Sequence, residues 1–402
     1  MRLDGRGAQR RAIAMSGGLA LAALGAIEAR AERAEPGHLV TLRSDLASSV
    51  AVDLGGPQRE GHLDRSLTNA PLSVVTRVPI TSRRATAPVE WREGTLAIGT
   101  AEGLLVYRDG AVVRVATGPV DARPVVLPSG ELVVATREGR VLVIDPQLAI
   151  QREARASSGI SRGPLVLADG SIVVASNDRM ITRFDADLER VFATTLTTGL
   201  PLSPALRGAS RIVVVAGERL YELDLSGQIL SSLDLGERAA SAPLVDDEGH
   251  VHLATVGGTI LVVAHARHVV QRISVGGRLL DQNVVLARDT DGSYRLAVPT
   301  LGVLAIERDG EPRWSATTDA PFPGPLAIAA DHRTIAFDRR GRIVVLSPSG
   351  EIQERLELGG LVNGFPQITR DGTLWATTDA GELVHVAPAP RPAPAPVVAP
   401  TP

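Results

Sequence analysis

The sequence predicts an all-β protein: an eight-bladed β-propeller of four-stranded antiparallel blades, with the last blade closed by an N-terminal strand. Three observations point there. A unit of about 40 residues recurs across residues 87–387, the period of propeller blades. Its apolar runs are four to six residues long and broken by Gly, too short for helical pairs. The last copy lacks an outer strand, while residues 73–78 (Ser-Val-Val-Thr-Arg-Val) form a strand-like run with no partner.

The unit opens with a small residue and Pro, followed by a short apolar strand. A turn with Asp or Ser before Gly comes next, then a second apolar strand ending in Ala-Thr or similar. A Gly hairpin leads into a third strand, often closed by Asp. Prolines 88, 124, 164, 204 and 243 mark copies one to five at steps of 36 to 40 residues. Pro325 and Pro366 mark copies seven and eight, and Val284 replaces the proline in the sixth. Asp-Gly and Ser-Gly give the positive φ that tight hairpins require, and Pro ahead of a strand removes no ladder donor. In the second copy the strands fall at residues 124–127, 131–136 and 141–144, with an outer strand at 150–155. The seventh copy places its outer strand at 352–357. The orphan run 73–78 is expected to pair with 382–386 and leave the ring without a free end.

Outside the propeller, assigned to residues 72–387, the chain reads as three segments. Residues 1–31 resemble a signal peptide: Arg2, Arg6, Arg10 and Arg11 precede an apolar stretch, and Ala29-Arg30-Ala31 offers a small-x-small cleavage site. A retained anchor is the alternative, although Ser16, Gly17 and Gly18 interrupt the stretch. Residues 32–71 form a partly irregular lead-in. Residues 388–402 alternate Pro with small residues and suit a solvated polyproline tail, disordered and unable to join a ladder.

Composition removes whole classes of chemistry. There is no cysteine, which excludes disulfides, thiolate catalysis and Cys-type zinc sites. There is no lysine; all 42 basic side chains are Arg, so Schiff-base chemistry is excluded as well. A net charge of −3 with no basic stripe argues against nucleic acid.

The wording of the blades, small-Pro-apolar, Asp-Gly, apolar-Ala-Thr, Gly, apolar-Asp, resembles the quinoprotein (PQQ-like) propeller repeat. Asp309-Gly310-Glu311-Pro312-Arg313-Trp314 resembles that family's blade-end segment, and residues 55–62 resemble its lead-in. The resemblance covers about three quarters of the chain. It implies the fold and a choice of functions: quinone-dependent dehydrogenases, an outer-membrane assembly scaffold, and other exported proteins. The chain departs from the dehydrogenases in its short loops, in lacking a vicinal disulfide, and in having only Trp91, Trp314 and Trp375 as indole rings. The tryptophan docking motif is missing from most copies. These departures place it with the non-catalytic branch, without a cofactor.

Other constellations read as structural. His250 and His252 share a strand face at i and i+2, but His252 aligns with Ala97, Val133 and Trp375 and therefore packs between blades. His250 aligns with Glu131 and Thr373, a surface column. Asp145, Asp185, Asp224 and Glu307 recur in one column, which marks turn chemistry. Asp289-Thr290-Asp291-Gly292 lacks the Glu of a calcium loop and reads as a widened turn. No metal site follows.

If the strand after each Pro is innermost, the residues just before it ring one mouth of the axial channel. Asp121, Arg123, Ser161, Arg162, Asp281, Asn283 and Asn363 form this ring, polar and unlike from copy to copy, as a binding surface requires. Solvated loops are the alternative reading. The expected function is an exported, non-catalytic scaffold, periplasmic or secreted and monomeric. It would bind a protein or cell-envelope partner, with no nucleic acid and no membrane span after processing. The alternatives are a quinone-dependent dehydrogenase and a propeller that binds a small ligand or carbohydrate.

Overall fold

A computed structural model of the chain describes residues 65–69, 71–279, 286–298, 301–322 and 326–389. The segments read as signal peptide and polyproline tail lie outside them, apart from the tail's first two residues, as do Pro325, Val284, Asp281 and Asn283.

Every strand among the described residues belongs to one of eight four-stranded antiparallel sheets. The first seven are built from strands consecutive in sequence. Blade 2 is representative: Val125–Val126, Leu132–Ala135, Arg140–Ile144 and Ile150–Arg155, from inside to outside. The outer strand of blade 7, Ile352–Glu357, falls where the sequence places it. The buried prolines 88, 124, 164, 204, 243 and 366 each precede an inner strand. In most blades the middle two strands are buried on both faces, because adjacent blades cover them, and their Val-Ile-Leu runs follow from that. The outer strands alternate between half-buried and exposed residues, as a half-solvated sheet edge requires.

Blade 8 is completed across the chain. Leu72–Pro79 pairs antiparallel with Glu382–Pro388, running from Leu72 opposite Pro388 to Pro79 opposite Glu382, with a bulge between Val74 and Thr76. The ladder continues past its expected end, with Ala389 N–H donating to the Pro71 carbonyl at 2.8 Å. This strand is also tied to blade 7. The backbone N–H of Leu72 donates to the Glu354 carboxylate, and Arg77 donates to the Leu358 carbonyl and to Glu382. Upstream, Leu67 is buried in the cluster between blades 7 and 8, and Arg65 pairs with Glu90 of the first inner strand.

The turns confirm the recurring Asp with one departure. Asp145 Oδ1 accepts the backbone N–H of Gln147 and Ala149, each at 2.9 Å. Asp185 and Asp224 repeat this on the amides two and four residues on. Glu307 does not; its carboxylate pairs with Arg313 at 3.2 Å, and Asp309 accepts the Glu311 amide instead. The turn at residues 289–293 is not widened. Asp289 N–H reaches the Ser293 carbonyl over the same span as Leu127 to Glu131. The extra length lies in the ladder, which has three rungs in blade 6 against two in blade 2.

Docking of an outer-strand ring on the next blade survives without Trp in one blade. Trp314 Nε1 donates to the Pro348 carbonyl at 2.9 Å, and its ring covers Gly350. In blade 3 Phe192 covers Gly227 in the same way. A Cβ at either glycine would lie 2.5 Å from the ring, and both have positive φ, so only Gly is accommodated there.

Candidate functional site at the channel mouth

Each inner strand is entered from a loop pinned by two hairpins. Between blades 2 and 3, Ala156 N–H donates to the Gly139 carbonyl and Ile160 N–H to the Thr136 carbonyl. The Gly159 carbonyl accepts from Asn177 of the following blade. Gly159 is pressed so closely onto the Arg137 carbonyl that a Cβ would stand 2.2 Å from it. The loop between blades 1 and 2 is held alike: Val120 N–H meets the Thr100 carbonyl, and Arg137 N–H meets the Pro119 carbonyl. Buried Val120 and Ile160 staple these loops inward. The residues after them, Asp121 and Ser161, consequently face the mouth.

Five of the predicted residues, Asp121, Arg123, Ser161, Arg162 and Asn363, line one open cavity of about 410 Å³. Asp281 and Asn283 lie outside the described residues. The sequence reading missed Arg84, Thr86, Ser203 and Phe365, which also line it. Ser203 was legible, since it precedes Pro204 as Arg123 precedes Pro124. Phe365 precedes Pro366 in that same column but is apolar in a set chosen as polar, and Arg84 lies outside the column, four residues before Pro88.

The polar groups are held, not loose. Arg137 forms a two-pronged pair with Asp121, which raises the Arg137 pKa. Arg123 crosses between blades, donating to the Pro88 carbonyl and to Gln367 Oε1 of blade 8, both at 2.9 Å. Ser161 Oγ donates to Asn177 Oδ1, and Asn363 Nδ2 to the Arg83 carbonyl. Pre-positioned side chains of this kind lower the ordering cost of binding.

The repeat family raises the question of a bound quinone. Such a ring needs an aromatic face to stack on and a carboxylate-rich metal site. Trp91 and Trp375 are buried between blades and Trp314 is docked on blade 7; Phe365 is the one aromatic side chain at the cavity among the described residues. The one carboxylate there among the described residues, Asp121, is already engaged by Arg137. These donors do not fit a quinone with its metal.

His250 and His252 also resolve into separate roles. His252 is buried between blades 5 and 6, with Nε2 3.0 Å from Asp246 Oδ2 and Nδ1 2.9 Å from the Tyr294 hydroxyl. Burial lowers the His252 pKa and pushes Tyr294 up to about 12. The ring is therefore neutral, donating from Nε2 to Asp246 and accepting the Tyr294 proton at Nδ1. Asp246 is held well below the usual carboxylate range. Burial opposes its ionisation, but hydrogen bonds from His250 and His252 outweigh it. Asp246, Glu248 and His250 lie close enough to share an ion. Arg288 lies 3.8 Å from Asp246 and Arg308 3.2 Å from Glu248, so cations of the protein already balance this cluster.

Eight closed four-stranded blades with a polar recess at one mouth define the class: an eight-bladed β-propeller of PQQ-like repeats. A family model described as outer membrane protein assembly factor BamB matches residues 89–289, half of the chain, and the chain belongs to that family. Among solved structures, BamB from Moraxella catarrhalis is similar at a TM-score of 0.59 and 17% identity, covering 79% of this chain and 99% of that one. The computationally designed Ika8 protein matches at a TM-score of 0.64 and 13% identity, covering 77% of this chain and 98% of that one. Virginiamycin B lyase from Staphylococcus aureus matches at 0.53 and 11% identity, covering 79% and 99%. At these identities the likeness is one of fold. No curated protein matches by sequence.

Proposed function

We propose that the chain is a non-catalytic interaction scaffold of the cell envelope, and that it holds a protein partner at the mouth lined by Asp121, Arg123, Ser161, Arg162 and Asn363. Membership of the BamB family supports the assembly role and the envelope setting. The observation that carries the reading is the mouth itself: polar side chains unlike from blade to blade around one recess, of which Asp121, Arg123, Ser161 and Asn363 are held by neighbouring blades or loops. A rigid ring offering an asymmetric polar rim suits recognition better than turnover. Export through the segment 1–31 belongs to the same proposal. Among the described residues no helix is long and apolar enough to cross a membrane.

A photo-crosslinking residue at Asn363 or Ser161 tests this on envelope fractions. One defined protein adduct is expected from these positions and none from Val191, an exposed outer-strand control. Equal labelling from all three, or none, would remove the scaffold reading. The recess volume lies within the range of small-ligand sites, which keeps a small-ligand propeller as the second reading. A thermal shift with a member of a carbohydrate panel, without any adduct, would favour it.

A further inference from the structure

Asn363 and Gly364 stand side by side in the loop that enters blade 8, and theirs is the one Asn-Gly pair in the chain. The loop is anchored at the asparagine. Asn363 N–H donates to the Thr377 carbonyl at 2.8 Å, and the Asn363 carbonyl accepts from Thr377 Oγ1 at 3.3 Å. Gly364 is not anchored: its φ is +76°, and among the described residues its N–H has no hydrogen-bond partner. The Asn363 side chain is half-buried at the rim, and its amide is restrained by a single exposed hydrogen bond, Nδ2 to the Arg83 carbonyl at 3.2 Å.

An asparagine side-chain carbon and the next backbone nitrogen can close a five-membered ring, and a following Gly has no Cβ to obstruct the approach. Asp-Gly pairs are open to the same ring closure. Four of them occupy the hairpins at Asp169, Asp291, Asp309 and Asp371, but there the Gly N–H is committed to the turn: Gly170, Gly292, Gly310 and Gly372 donate to backbone carbonyls at 2.9–3.0 Å. Asn177 is followed by Asp178, whose side chain crowds the nitrogen.

We propose that Asn363 is a self-modification site, where the channel mouth deamidates without an enzyme. The Gly364 nitrogen attacks Asn363 Cγ. The new C–N bond forms as the Cγ–Nδ2 bond breaks, and ammonia leaves with the proton of the Gly364 N–H. Water then opens the cyclic imide at either carbonyl, giving Asp or isoaspartate at 363. Both products are ionised near neutral pH, and neither carries the donor that Nδ2 supplies. A carboxylate set against the Arg83 carbonyl can only accept, so the tie between the loops entering blades 8 and 1 is lost. The modification does not depend on the mouth binding a partner.

The test ages the full chain in warm, mildly alkaline buffer and maps it with trypsin, beside the free synthetic peptide 356–370 that trypsin releases between Arg355 and Arg370. The mass gain of an amide becoming an acid, with an isoaspartate fraction, is expected at residue 363 in the aged chain, ahead of Asn177. Asn363→Gln, whose longer side chain cannot close the five-membered ring, should show no gain. Asn363→Asp should reproduce the lowered melting temperature of the aged parent. Conversion in the free peptide with Asn363 intact in the folded chain would overturn the proposal, since the fold would then shield the amide. So would isoaspartate arising as fast at Asp371 as at Asn363, which would deny the free Gly364 N–H its part. An Asn363→Asp variant that melts with the unaged parent would overturn the loss of the tie between blades 8 and 1.

Discussion

In blades 2 and 3 the turn after the inner strand begins at Leu127 and Leu167, and the position six residues on holds Val133 and Val173. In blades 5 and 6 the same two positions are Asp246 with His252 and Asp289 with Arg295. All eight side chains are buried and the backbone plan is unchanged. The apolar pairs join one continuous cluster through blades 2 to 4. The polar pairs face each other across blade boundaries: Asp246 reaches Tyr294 of the next blade through His252, and Asp289 meets His332 of blade 7 at 2.8 Å. Arg295 is completely buried, 3.5 Å from Asp289, with its guanidinium 5.1 Å from the Trp314 ring centre. One side of the ring is therefore closed by shape, the other by hydrogen-bonded and charged pairs. A repeat tolerates this change only when both positions change together, because a lone buried charge has no water to fall back on.

The largest effect should come from breaking one partner of a polar pair. Arg295→Val is expected to cost about 3–5 kcal/mol by leaving Asp289 buried against too little positive charge. Adding Asp289→Leu should recover most of it, since the pair then copies blade 3. Urea unfolding of the single and double variants checks this, and a double variant no better than the single would break the comparison. On the apolar side, Leu165→Ala should cost about 2–5 kcal/mol through the cavity it leaves, with no second substitution able to restore it by charge.

Next in size is a pH effect confined to the polar side and the closing seam. Burial lowers the pKa of His252, and of His385, which stacks on Trp375 at 4.1 Å. A histidine with a depressed folded pKa binds protons more readily when unfolded, so it contributes stability above its unfolded pKa, near 6.5, that is lost as pH falls below it. His250 acts in the opposite sense. Its bond to Asp246 raises its pKa, and its contribution fades as pH rises through that raised value. Between about pH 7 and pH 5, His252 and His385 therefore pull the melting temperature down while His250 pulls it up, and removing His385 isolates the seam's share. Replacing His385 by Leu should make the melting temperature fall less, or rise more, on going from about pH 7 to pH 5; an unchanged pH profile would show that the seam does not titrate. The smallest expected effect is at the turns. Asp145→Ala frees two backbone amides at the exposed edge of blade 2 and should cost about 1 kcal/mol at neutral pH, whereas Glu307→Ala, which holds no amide, should cost less.

Much of this architecture was legible in the chain because its causes are local. A positive-φ glycine, a proline where no donor is lost and a short apolar run each act within a few residues, and their recurrence counts the blades. The orphan run near residue 75 could be matched to blade 8 because every other strand had a neighbour. The mouth was half legible: its loops follow from the prolines, so Asp121, Arg123, Ser161, Arg162 and Asn363 could be named. Phe365 shares the column of Arg123 but is apolar, and Arg84 lies outside it, so neither was named. The charge pairs were the opposite case. Nothing in the sequence singled out Asp246, and His252 read as packing; that they form one unit became visible only in space.

The sequence by itself therefore determined the number of blades, their turns and the strand that closes the ring, because hydrogen bonding and φ preferences are short-range. Tertiary structure alone decided that Arg295 is buried, that Arg123 reaches across to Gln367, and that three arginines share one recess. Those outcomes depend on which blades face one another, and electrostatic and packing energies between distant residues exist only once the ring has brought them together.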